Sequence, residues 1–87
     1  MDYELLRAVG MRIRELRLSR GLSQADLSRM VGCGLSYIGE IERGRRNISI
    51  SLLGAILDAL DGSPADFFDS ELFANGFHTE QNAMKRG

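Results

Sequence analysis

The sequence predicts an all-α chain of five short helices, and three features carry that expectation. Apolar residues recur at spacings of three and four, glycines and small polar residues fall where helices must start and stop, and proline occurs once, at Pro64. Leu, Ile, Ala, Arg and Asp are frequent and tryptophan is absent, which suits helices. In the first segment Leu6, Val9, Ile13 and Leu16 form one stripe with arginines largely between them, so a helix runs from about Tyr3 to Arg20 and stops before Gly21. Ser23-Gln24-Ala25-Asp26 has the form of a capping box opening a second helix to about Met30 or Val31. Gly32-Cys33-Gly34 forces a turn, and a third helix begins near Leu35 and stops at Gly44, with Ile38 and Ile41 facing inward. Ser49 caps a fourth helix whose core stripe is Leu53, Ile56, Leu57 and Leu60 and whose end is Gly62. Ser63-Pro64-Ala65-Asp66 opens the fifth, with a capping box and proline at the first helical position. One domain over residues 1–69 is expected, followed by a tail, 70–87, with an Asn75-Gly76 turn signal and at most a partial helix.

Eighty-seven residues with 44% hydrophobic content support one compact core. The net charge of −1 conceals an asymmetry. Residues 1–50 hold nine arginines against six acids, net +3, whereas residues 51–87 hold Lys85 and Arg86 against six acids, net −4. A basic face on an otherwise acidic domain suits a polyanionic partner on one side. A single cysteine, Cys33, excludes an intrachain disulfide, and the opening MDYELLRAVG lacks the pattern of a secretory signal, so a reducing cytoplasm is expected. Charges interrupt every hydrophobic segment, so no membrane partner is expected. One histidine, His78 in the tail, and one cysteine in a turn offer neither a paired acid and base nor metal-ligand spacing. No catalytic residue, no metal and no cofactor are therefore assigned.

Two short helices joined by a tight glycine-containing turn let one helix cross the DNA backbone while the next enters the major groove. The residues of this helix-turn-helix are specific: Gly21-Leu22-Ser23-Gln24, Leu27, Gly32, Ile38, Ile41-Glu42-Arg43-Gly44 and Ala59-Leu60, without a gap. From Gly21 to Phe68 the chain resembles the Xre/Cro family of phage-repressor-like regulators. Tyr37-Ile38, Ile41-Glu42-Arg43, Arg46-Asn47 and Phe67-Phe68 look most like the controller proteins of restriction-modification systems. The resemblance implies a sequence-specific transcriptional regulator with an operator in double-stranded DNA, and RNA polymerase as a further candidate partner. It also implies a phosphate contact from Gln24 and a pairing of Arg17 with Glu42 that serves the fold. The chain departs from the family at Gly34, Leu35 and Gly39, where capping or base-reading polar residues are common, so the DNA sequence read does not transfer from relatives.

On the third helix Leu35, Ser36, Tyr37, Gly39 and Glu40 are the candidate base-reading residues. Leu35 fits either the core, three residues before Ile38, or a thymine methyl. Glu40 is a liability beside phosphates unless it accepts from a cytosine amino group or discourages wrong sites by repulsion. Ser23, Gln24, Arg43, Arg45, Arg46 and Asn47 are the candidate phosphate contacts. Leu52, Ala55, Ile56 and Ala59 on the fourth helix, with Phe67, Phe68, Leu72, Phe73 and Phe77 beyond it, present more apolar area than so small a monomer should cover. A homodimer interface there would seat two recognition helices on an inverted-repeat operator. The competing reading keeps the fold but docks another regulator on the acidic half, as an antiactivator or antitoxin does.

Overall fold

The computed structural model describes residues 3–74; the Asn75-Gly76 turn, Phe77, His78, Lys85 and Arg86 lie outside them. Five helices follow one another: α1 (Tyr3–Ser19), α2 (Gln24–Val31), α3 (Leu35–Glu42), α4 (Ile50–Ala59) and α5 (Pro64–Phe68). A 3-10 turn, Glu71–Phe73, closes the described chain, which contains no strand. Phe67, Ile13, Leu27, Ile38, Ile56 and Leu60 are fully buried, so every helix contributes at least one residue to a shared core. The core continues into the segment read as a tail, because Phe73 is 6% exposed and packs its ring 5.8 Å from that of Phe67.

The predicted caps organise the helix starts. Ser23 accepts from the Asp26 N–H at 2.9 Å while Asp26 accepts from the Ser23 N–H at 2.8 Å, completing the box that starts α2. The bond from the Ser23 backbone N–H, helped by the Ser23 side chain, holds the Asp26 carboxyl below its ordinary range. Ser49 and Ser63 cap α4 and α5 with the hydroxyl, accepting from the Leu52 and Asp66 N–H groups, so the box expected at α5 is formed in its serine half.

α1 is the spine of the domain. Its Gly10 lies so close to α3 that an added Cβ would sit 2.3 Å from the Ile41 carbonyl oxygen and 2.7 Å from that of Glu42. Gly44, with φ +74°, faces Arg7, where an added Cβ would sit 2.5 Å from its Cγ and 2.8 Å from its Cα. Two residues on from Gly10, toward the opposite face of α1, Arg12 donates from Nε to the Phe67 carbonyl and from Nη2 to the Asp66 carbonyl, both at 2.8 Å, so α1 also grips the end of α5.

One helix stop differs from expectation. The left-handed residue after α4 is Asp61 (φ +53°), not Gly62, whose N–H instead reaches back to the Leu57 carbonyl at 2.9 Å. The chain thus closes with a Schellman turn displaced by one residue, and an L-residue takes the position glycine occupies most cheaply. Asp61→Gly is therefore expected to raise stability by roughly 0.5–1 kcal/mol, the relief of left-handed strain outweighing the added freedom of the unfolded chain. A urea unfolding midpoint that stays put or falls would contradict this.

Candidate nucleic-acid interface

The exposed face of α3 rests on a buried ionic anchor. Arg17 of α1 donates to Glu42 from Nε at 2.7 Å and from Nη2 at 3.0 Å, and its Nη1 donates to the Leu22 carbonyl at 2.8 Å. Gln24 Nε2 adds a further bond to Glu42 at 3.0 Å. Arg17 and Glu42 are 6% and 7% exposed, so the pairing expected between the first and third helices is present and desolvated. The hydrogen bonds that Arg17 donates to Glu42 raise its pKa above the ordinary value, against the opposing effect of burial. α1, α2 and α3 are tied together at one point, which fixes how α3 stands out from the domain.

At its N-terminus α3 differs from its neighbours. Gly34 occupies the cap position with extended backbone and supplies no side-chain bond. The Tyr37 and Ile38 N–H groups both turn back to the Gly34 carbonyl, which leaves the Leu35 and Ser36 amides pointing forward. Leu35 is 52% exposed, which decides between its two readings in favour of the surface. Ser36 is exposed beside it, and Tyr37 is half-buried with its ring against the core.

Gly39 corrects the reading of the outer face. It is buried, because Gln24 reaches across to Glu42 and Arg43 folds back above it, their polar atoms 3.4–3.7 Å from where a Cβ would lie. It therefore offers no side-chain surface for base reading. Gln24, expected at a phosphate, spends one donor on Glu42 and keeps the second hydrogen of its amide. Ser23 is exposed within its capping box, and Arg43, Arg45, Arg46 and Asn47 are all exposed.

The end of α3 brings together a cluster that the sequence shows only in part. Gly44 turns left-handed and the Arg45 N–H returns to the Glu40 carbonyl at 2.9 Å, a Schellman closure that carries the next residue back over the helix. Arg46 consequently donates from Nε to Glu40 at 2.8 Å and lays its guanidinium 5.1 Å from the centre of the Tyr37 ring. The bond from Arg46 lowers the Glu40 pKa below the ordinary carboxylate range. Tyr37 and Glu40, three apart, signal a shared helix face in the sequence; the return of Arg46 depends on Gly44 and carries no periodic signal.

Of the residues assigned to a subunit interface, Ile56, Phe67 and Phe73 are core, at 0%, 0% and 6% exposure, and are corrected accordingly. They fill the space between α1, α4 and α5 and have no surface to offer. Ala55 and Phe68 are exposed, and Leu52, Ala59 and Leu72 are half-buried. Sequence reasoning missed Ile50, 84% exposed at the head of α4, and Met30, 55% exposed, which lines a shallow hollow with Val31, Ala55 and Ala59.

The geometry has close counterparts. Residues 13–67 match the Helix-turn-helix family. The restriction-modification controller protein C.AhdI from Aeromonas hydrophila is 43% identical, with a TM-score of 0.69 over 72% of this chain and 96% of that one. The controller protein C.Esp1396I, solved as a tetramer in complex with its natural 35 base-pair operator, is 35% identical, with a TM-score of 0.72 over 83% of this chain and 93% of that one. The control protein C.BamHI of Bacillus amyloliquefaciens is 36% identical over 67 residues, covering 76% of this chain and 83% of that protein. The chain spans 13% of the length of the regulator RamB of Mycobacterium tuberculosis, to which it is 40% identical over 63 residues. With the buried anchor, the glycine turn and the projecting third helix all in place, the chain belongs to the Xre-like helix-turn-helix family of transcriptional regulators.

Proposed function

We propose that this protein is a sequence-specific double-stranded DNA-binding regulator, acting without catalysis as a homodimer on inverted-repeat operators in the cytoplasm. The observation that carries this reading is the exposed, uncapped start of α3, with Leu35, Ser36 and Tyr37 forward and Arg43, Arg45 and Arg46 behind. Free helix amides and the helix dipole favour a phosphate at that end, while side chains of the first turn reach base edges. Arginines at the far end neutralise phosphates and set the register of the helix in the groove. Ala55 and Phe68, with half-buried Leu52, Ala59 and Leu72, form the apolar set for a second copy, which would space two recognition helices by about 34 Å. Asp58, Asp61, Asp66, Asp69 and Glu71 are exposed in the second half and remain available to RNA polymerase.

The test is the salt dependence of binding to a duplex selected by the protein from a randomised pool. Affinity should fall linearly on log-log axes, and Arg45→Ala should make the slope shallower by about 0.9 per subunit, roughly 1.8 for a dimer. A change of one unit together with sedimentation of a single copy on DNA would overturn the dimer. Absence of salt-dependent binding would instead favour the antiactivator or antitoxin-like reading, in which the same fold meets a protein.

A further inference from the structure

We propose that Glu40 is a specificity-determining residue that withholds Arg46 from DNA until the correct base pair gives Glu40 another donor; this rests on the DNA-binding reading above. Three exposed arginines follow α3, and they are not equivalent. Among the described residues Arg43 and Arg45 have no carboxylate within salt-bridge reach, whereas Arg46 is bonded to Glu40 at 2.8 Å and stacked on Tyr37. Arg43 and Arg45 are thus ready phosphate clamps on any sequence. Arg46 is compensated: brought to a phosphate while paired, it adds no net charge, releases little counterion and carries a repelling carboxylate with it.

The position of Glu40 makes the exchange possible. It lies one turn beyond Ser36 and three residues beyond Tyr37, on the side of α3 reached by Arg46 rather than on the side buried against α1. A cytosine amino group in the major groove is a donor that a glutamate accepts well. Once Glu40 turns to that donor, Arg46 is left with an uncompensated charge next to the backbone. One correct base then yields two contacts, and one wrong base forfeits both, because Glu40 and Arg46 stay bonded to each other. The Schellman closure through the Arg45 N–H and the Glu40 carbonyl keeps the two partners within reach whether or not they are paired. A device of this kind weakens non-specific binding more than specific binding, which is where discrimination is gained.

A double-mutant cycle on two probes tests it: a mixed-sequence duplex, and a duplex selected by the unmodified protein from a randomised pool. Glu40→Gln, at a partly exposed position, should bind the mixed-sequence duplex about five- to tenfold more tightly, with a salt slope steeper by about 0.9 per subunit. The ratio of selected to mixed affinity should fall by about tenfold or more. In an Arg46→Ala background the same Glu40→Gln change should gain less than about twofold on mixed DNA. A gain equally large without Arg46 would reduce Glu40 to simple repulsion and overturn the exchange, as would no gain at all. Loss of all DNA binding by the unmodified protein would overturn the underlying reading and the exchange with it, whereas intact binding with additive effects overturns the exchange alone.

Discussion

Glu42→Ala should lose about 3–5 kcal/mol of stability, the cost of leaving a buried guanidinium without its carboxylate. Arg17 has two of its donors on Glu42 and lies 6% exposed, so water cannot take over the lost bonds without opening the contact between α1 and α3. Gln24 loses its acceptor in the same step. For a domain this size each kcal/mol shifts the melting temperature by about 4–8 °C, so a fall of at least 12 °C is expected by circular dichroism. The partner experiment separates burial from pairing. Replacing both residues by apolar side chains, Arg17→Met with Glu42→Leu, should recover most of the loss, because an absent pair leaves no stranded charge. A loss below about 1 kcal/mol for Glu42→Ala would mean that solvent reaches the site and that the anchor does not hold α3.

Gly10→Ala should be destabilising by about 3 kcal/mol or more, although alanine is the better helix former by close to 1 kcal/mol. Steric overlap decides the sign. The new Cβ would stand 2.3 Å from the Ile41 carbonyl oxygen, an atom of the α3 backbone that cannot rotate aside, so α1 and α3 must separate. Separation loosens the packing of Ile13 and Ile38, both fully buried. Gly54 in α4 supplies the contrast, since it is exposed and a Cβ there meets nothing within 4 Å. Gly54→Ala should therefore stabilise by up to about 1 kcal/mol when both variants are unfolded in urea. Two Gly→Ala changes in helix interiors with the same sign would refute the close-approach argument.

These two sites mark the boundary of what the sequence discloses. The helices were legible because their signals are local: spacing for the core faces, serine for the starts of α2, α4 and α5, glycine for most of the stops. Asp61 escaped because a left-handed turn tolerates aspartate and the adjacent Gly62 is the louder signal. The pairing of Arg17 with Glu42 was legible through the family resemblance, not through spacing. Gly10 carries a weak signal, a glycine inside a helix, but the α3 carbonyls it approaches are 31 and 32 residues away. Burial of Ile56, Phe67 and Phe73 could not be separated from exposure of Phe68 by composition, since the same apolar residues serve a core or a partner. Gly39 was misplaced because the side chains that cover it belong to Gln24 and Arg43.

Arg12 has a consequence at larger scale. Its grip on the Asp66 and Phe67 carbonyls joins α1 to the segment that carries Phe68, while Gly10 and Arg17 join the same helix to α3. One rigid rod therefore connects the surface proposed to meet a second subunit with the helix proposed to enter the groove. In such an assembly the gap between two half-sites is a length set across α1, which holds α3 on one face and the end of α5 on the other, like the distance between the points of a locked pair of dividers. DNA whose half-sites fall out of step with that length must twist or bend to be bound, and the energy of that deformation becomes part of how the protein tells one operator from another.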